Sequence, residues 1–227
     1  MNELVKEFVK IVTKNFPISE PIVEFGSLQV PGQEGFADLR PFFPKMEYVG
    51  CDMLKGIGVD RILDLHNIDL PSDSVGTVLI MNTLEHVTYP VRALEEVFRI
   101  LKTDGLVIIS SHMNFPIHEY PHDYWRFTPE GFRVLLNPFS SCFVEYAGIK
   151  GFPHTVVGIG SKGRPIDRIY SYSFDMEFKD WKRRWYNPGG LTARWKRIVE
   201  RITPPILLPI LRYGYGKIRK QTVRKFY

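Results

Sequence analysis

A doubly wound α/β domain on a mostly parallel, seven-stranded sheet is the fold the sequence predicts, and three observations predict it. Short aliphatic, β-branched runs recur seven times between residues 22 and 159. Amphipathic helical patterns fall between several of them, as parallel strands require. The last two runs, 142–146 and 155–159, have no helical pattern between them, so they close the sheet as a hairpin and make one edge strand antiparallel.

Val5, Phe8, Val9 and Val12 share one face of an N-terminal helix that the Pro17–Pro21 stretch breaks. Residues 22–25 read as the first buried strand, closed by Gly26 and Ser27. A loop rich in Gly and Pro follows, with a short helical piece over 37–40. Residues 47–52 and 61–64 are the second and third strands, each ending on an acid, and 76–81 is the fourth. Val91, Leu94, Val97, Phe98 and Leu101 line a helix, and Gly105 suits a left-handed turn at its end. Residues 106–110 form the fifth strand. Thr128 and Pro129 are suited to the N-cap and first position of another helix, which carries Phe132, Leu135 and Leu136.

The 227 residues divide into a domain over 1–165 and a basic, aromatic-rich extension over 166–227. Residues 179–227 hold 14 Lys/Arg against 2 Asp/Glu, while residues 1–178 hold 16 against 23. That asymmetry assigns the two parts different tasks. The two cysteines, Cys51 and Cys142, sit in apolar runs outside any metal or redox motif and read as buried, inert thiols. The N-terminus has no long apolar segment of a signal peptide, and no run reaches the ~20 apolar residues of a membrane span, so a cytoplasmic location is expected.

In such a sheet, ligands bind outside the carboxyl ends of the strands, where strand order reverses. Glu24, Phe25, Gly26 and Ser27 stand at the end of the first strand, and a glycine there lets a ligand approach the backbone. Asp52 follows 26 residues after Gly26, a spacing at which an acid accepts hydrogen bonds from ribose hydroxyls. Asp64 and Leu65 follow the third strand, and Asn82 to His86 follow the fourth. A nicotinamide oxidoreductase is disfavoured because no G-x-G-x-x-G follows the first strand.

Residues 22–160 resemble class I S-adenosylmethionine-dependent methyltransferases of the type-11 methyltransferase-domain group. Three stretches carry the resemblance: Tyr48 to Asp52, which is similar to the family's second strand and its ribose-binding acid; Asp64 to Gly76 (DLHNIDLPSDSVG); and Leu84 to Val87, continued by Arg92 to Gly105 (RALEEVFRILKTDG). The resemblance implies a Rossmann-like domain with an S-adenosylmethionine site. Glu24 would open its first motif, with Gly26 and Ser27 facing the methionine part of the cofactor. Asp52 would bind the ribose, Met53 would pack on the adenine, Asp64 would accept from the adenine amino group beside the Leu65 backbone, and Asn82 would line the methionine end. One departure stands out: the family's E-x-G-x-G-x-G is here Glu24-Phe25-Gly26-Ser27-Leu28-Gln29-Val30, which lacks the second glycine, so that Ser27 or Gln29 would meet the carboxylate instead.

Methyl transfer needs an aligned acceptor and, for an oxygen acceptor, a base worth about 10²–10⁴-fold. Candidate acid–base groups are His86 and, in the loop 112–127 that reads as a substrate lid, His122, Asp123 and Tyr124. No metal is expected. Glu85-His86 is similar to a pair in metal-dependent methyltransferases, but such sites need more ligands, Asn82 is not a carboxylate, and the spacing does not require His122 or Asp123 to complete a set. The expected function is therefore O-methylation of a small molecule or of a glycan or lipid-linked substrate. The rival is a non-catalytic, S-adenosylmethionine-binding or membrane-tethered degenerate domain. In residues 179–227, Trp and Lys/Arg around short apolar runs suit either peripheral contact with an anionic membrane or a helical cap packed on the domain; nucleic-acid binding is less favoured.

Overall fold

The computed structural model describes residues 3–32, 34–118, 122–166 and 172–186. Seven strands form one sheet: β1 (Ile22–Phe25), β2 (Tyr48–Asp52), β3 (Arg61–Ile62), β4 (Val75–Met81), β5 (Leu101–His112), β6 (Ser141–Ile149) and β7 (Phe152–Ser161), in the order β3-β2-β1-β4-β5-β7-β6. All neighbouring pairs are parallel except those made by β7, which runs antiparallel to both β5 and β6. The antiparallel strand therefore lies one place inside the sheet, and β6 forms the edge. Among the described residues, four helices cover the two faces: α1 (Glu3–Asn15), α2 (Pro90–Ile100), α3 (Pro129–Leu135) and α4 (Tyr172–Tyr186).

Alternation along the strands sorts the core into two layers. Phe25, Val78, Ile80, Val107 and Ile109 point to α2 and α3, where they meet Leu94, Val97 and Phe132. Ile22, Leu79, Met81, Ile108 and Ile159 point to α1 and α4, where they meet Phe8, Val12, Phe174 and Trp181. Every residue of β4 is buried, as a central parallel strand covered on both faces should be. Gly158 and Gly160 let α3 and its following turn approach β7, because a Cβ on Gly160 would stand 2.9 Å from Phe139.

Several local expectations change. The short helical turn falls at Arg40–Phe42 rather than 37–40, where Pro41 supplies a fixed φ near its start. The third strand keeps only Arg61 and Ile62, because the Asp64 carboxylate accepts from the His66 backbone N–H at 2.8 Å and turns the chain. Helix α2 stops at Ile100, and Leu101 already pairs with Val75. Gly105 is not in a left-handed turn; it lies within β5, where a Cβ would meet Lys102 O at 2.9 Å and Gly76 O at 3.0 Å. Thr128 caps α3 as expected, accepting from Gly131 N at 3.0 Å. Cys51 is buried, whereas Cys142 is exposed on the edge strand.

The compact unit comprises Met1–Tyr186, so α4 belongs with the sheet rather than with an extension beginning at 166. Trp181 is fully buried against Phe8 and Phe178, and its indole N–H donates to Leu4 O at 2.6 Å. Trp185 stacks near His154, Lys182 pairs with Glu145 at 2.7 Å, and Arg184 pairs with Glu7 at 2.6 Å. The cation–aromatic pattern of 181–186 is thus spent inside the domain and offers no Trp anchor to a membrane or nucleic acid. The rest of the basic extension, 187–227, lies outside the described residues. Among the described residues no helix is long and apolar enough to cross a membrane.

Candidate functional site

Strand order reverses between β1 and β4, so the carboxyl ends of β1, β2 and β4 border one crevice. Glu24 lies at the base of this region, on the α1 face of β1. It is buried and accepts a 2.7 Å hydrogen bond from the Tyr48 hydroxyl. Burial pushes its carboxyl up to about 7, against the lowering effects of Tyr48 and the nearby Arg40. Burial and the neighbouring Glu24 also raise the Tyr48 phenol.

The turn after β1 differs from the arrangement its motif implies. The N–H groups of Gly26 and Ser27 both donate to Cys51 O, at 2.9 and 3.1 Å, and the Ser27 hydroxyl donates to the same oxygen at 3.2 Å. They brace β1 to β2 instead of facing an open cleft. Gln29 is likewise engaged, with its N–H on Ile57 O at 3.0 Å and its side-chain oxygen accepting from Gly35 N. Gly26 has φ +81°, and a Cβ there would lie 2.0 Å from the Thr83 hydroxyl, so this glycine makes room for the turn after β4. The loop 56–60 packs on this turn: a Cβ on Gly58 would stand 2.5 Å from Ser27 O. Arg40 holds that loop, donating to Gly58 O at 2.9 Å and pairing with Asp60 at 2.7 Å.

Asp52 ends β2, Met53 follows it, and Asp64 lies two residues beyond β3. Asp52 is half-buried and accepts from Leu54 N at 3.0 Å and Leu28 N at 3.4 Å, which leaves lone pairs for two hydroxyls. Met53 follows with its side chain 64% exposed, free to cover a planar ring. Burial alone would push the Asp64 carboxyl up, but hydrogen bonds from the His66 backbone and ring outweigh it and hold the carboxyl below its usual range. Leu65 is buried beneath it. At the end of β4, Asn82 sits at φ +50°, a conformation that Asn tolerates. Its side-chain oxygen accepts from Ser110 Oγ at 2.9 Å, while its buried Nδ2 has no partner. A buried amide donor left open at the crevice awaits an acceptor.

The ends of the loop 112–127, which the sequence reads as a lid, meet where Phe127 N donates to His112 O at 3.3 Å. It is fastened to the short turn Leu84–His86: Tyr124 N and Trp125 N both donate to Glu85 O, at 2.8 and 3.2 Å, and the Trp125 indole N–H donates to Val87 O at 2.9 Å. Asp123 serves as its latch rather than as a free base. Its carboxylate takes two bonds from Arg126, one at 2.6 Å, and one from His118 N at 2.9 Å, and the Arg126 bonds hold its carboxyl well below the usual range. His122 is exposed and contributes its carbonyl, which accepts from His86 Nδ1 at 2.6 Å. Tyr124 is half exposed beside the His122 ring, 5.6 Å away.

Sequence reasoning set Glu85 aside with the metal-type pair and did not single out Ser111, His112 or His118. Glu85 is fully buried, accepts from Ser111 Oγ at 2.7 Å with one oxygen, and leaves the other unpaired. Burial raises its carboxyl, partly offset by Ser111. His112 stacks on Phe115 at 4.2 Å, and burial, reinforced by the nearby His154 and His118, lowers its imidazole to about 3, so it is neutral. The His86 and His118 rings meet edge to face at 4.9 Å. The loop's density in histidine was the signal for this cluster, but only folding shows that His118, not His122, turns inward.

Comparison with known proteins agrees with this geometry. The methyltransferase domain family model matches residues 49–109, from β2 into β5. No curated protein sequence matches the chain. Among solved structures, the chain is similar to an S-adenosylmethionine-dependent methyltransferase from Archaeoglobus fulgidus (16% identity, 70% of this chain and 94% of that one, TM-score 0.53). It is also similar to the 1,6-didemethyltoxoflavin-N1-methyltransferase of Burkholderia thailandensis, solved with its substrate and S-adenosylhomocysteine (15% identity, 72% and 80% covered, TM-score 0.53). The chain therefore has the fold of the class I S-adenosylmethionine-dependent methyltransferases, and residues 49–109 within it match the methyltransferase domain family model.

Proposed function

We propose that the protein transfers a methyl group from S-adenosylmethionine to a hydroxyl of a small-molecule or glycan acceptor bound beneath the lid. The observation that carries the reading is the imidazole of His86. Its Nδ1 faces the His122 carbonyl, which can only accept, so the ring proton sits on Nδ1 and the Nε2 lone pair is left to take a proton. Asp52 would hold the ribose hydroxyls, Met53 the adenine face and Asp64 the adenine amino group, while the open Asn82 Nδ2 would donate to the methionine end. These groups fit the nucleoside half of the cofactor; on the methionine side the committed N–H groups of Gly26 and Ser27 leave Asn82 as the donor.

The cofactor, when bound, supplies an activated methyl group and its own leaving group. The chain's part is alignment and proton removal. The lid, latched by Asp123 and Arg126, excludes water and holds the acceptor oxygen, and His86 takes its proton as the methyl group arrives. A panel of phenolic and glycan hydroxyls is incubated with methyl-labelled cofactor and the products are separated. We expect an O-methyl product whose kcat falls about 10²–10⁴-fold in His86→Gln. Label found only on nitrogen acceptors, or an unchanged rate in His86→Gln, would overturn the assignment.

A further inference from the structure

Glu85, His86 and His118 each offer one ligand atom, and those atoms all lie within 4.8 Å of one another. They come from two elements, the turn after β4 and the lid. The geometry points to a divalent-cation site of zinc type at this junction, formed by Glu85 Oε1 and the Nε2 atoms of His86 and His118.

Three features argue for a cation rather than a chance cluster. First, each donor is held with its lone pair free. Ser111 engages the other Glu85 oxygen, the His122 carbonyl fixes the proton of His86 on Nδ1, and the Asp123 carboxylate, 3.1 Å from His118 Nδ1, does the same for His118. Carboxylate and carbonyl partners behind ligating imidazoles are how metal sites fix tautomer and ring orientation. Second, Glu85 Oε1 is completely buried with no hydrogen-bond partner, an arrangement that costs folding free energy unless something positive fills the space. Third, His112 Nε2 stands 3.9 Å from that same oxygen, so a further imidazole borders the position. Two imidazoles and a carboxylate suit zinc and similar borderline ions, with a coordination position left for an outside oxygen. Ligand atoms around such an ion are about 3.4 Å apart, from ligand distances of about 2.0–2.1 Å, so the side chains need to close by little more than 1 Å.

The site rests on the same lid-side pocket but gives the His86 Nε2 lone pair another use: with an ion bound, His86 would be a ligand, and the ion would activate the acceptor's hydroxyl in place of the His86 base. Ion binding itself does not require the cofactor, which keeps the two separable. The untagged full chain is freed of metal by chelator dialysis and titrated with Co(II), read by visible absorption, then with Zn(II) by competition. Wild type, Glu85→Gln, His118→Ala and His122→Ala are compared, and S-adenosylmethionine binding is measured on the same samples. We expect one equivalent of Co(II) with a visible band displaced by Zn(II), an affinity at least tenfold weaker in Glu85→Gln and His118→Ala, and an unchanged affinity in His122→Ala. No band in the wild type, equal binding by all variants, or equal loss in His122→Ala overturns the site. Because His118 is a half-exposed lid residue, His118→Ala keeps the test informative even if Glu85→Gln folds poorly.

Discussion

Glu24 makes the stability of the domain depend on pH in a direction opposite to that of most carboxylates. Its carboxyl moves from 4.5 to about 7 on burial, so between those values the folded state holds a proton that the unfolded chain has released. Stability contributed by this group is therefore greatest below pH 4.5, falls as pH rises toward 7 and levels off above it. A shift of that size corresponds to about 3 kcal/mol. In Glu24→Gln the Tyr48 hydroxyl keeps an oxygen to donate to, and the burial penalty on a charge is removed. Urea unfolding at several pH values between 4.5 and 8 measures both proteins. The difference in unfolding free energy, variant minus wild type, should rise by about 3 kcal/mol from the acidic to the basic end, with the variant the more stable at pH 8. A difference that stays constant with pH would show that Glu24 is not buried in the charged form's disfavour and would refute the reasoning.

Other consequences are as open to measurement. Gly26→Ala places a Cβ 2.0 Å from the Thr83 hydroxyl at φ +81°, and we expect a loss of roughly 2–4 kcal/mol in denaturant unfolding, partly recovered in the Gly26→Ala/Thr83→Ala double variant. Trp181→Ala should cost about 3–5 kcal/mol, read as a lower Tm, because the ring is buried and its N–H is paired; a loss below 1 kcal/mol would contradict the docking of α4. Asp123→Asn should loosen the lid, raising hydrogen exchange across 113–127 while leaving S-adenosylmethionine affinity unchanged.

The sheet was legible because its strands are buried on both faces and read as continuous aliphatic runs: Ile22–Phe25 and Val75–Met81 stand where the sequence puts them. The order of the strand ends carried the residues that follow them, which is why Asp52 and Asn82 stand at the ends of β2 and β4. What was not legible depended on who occupies a space. Gly105 and Gly26 look alike as turn glycines, yet one admits the neighbouring backbone and the other the Thr83 side chain. Nothing in the sequence signals that the loop 56–60, held by Arg40, packs on Ser27. Likewise Asp123 and His122 look like acid–base groups by type, but one is a latch and the other lends its carbonyl. The Trp and Lys/Arg of 181–186 resemble a surface anchor in one dimension, and only the pairing of α4 with α1 shows them turned inward.

The most direct measurement is a calorimetric titration of the purified full chain with S-adenosylmethionine, alongside Asp52→Ala. We expect micromolar binding at one site in the wild type, and its loss in Asp52→Ala without a change in fold, since removing an acceptor of paired ribose hydroxyl bonds costs several kcal/mol. Absence of binding by the wild type, or equal binding by the variant, would contradict the cofactor site placed at the ends of β1, β2 and β4 and would favour a domain that keeps the fold without the chemistry.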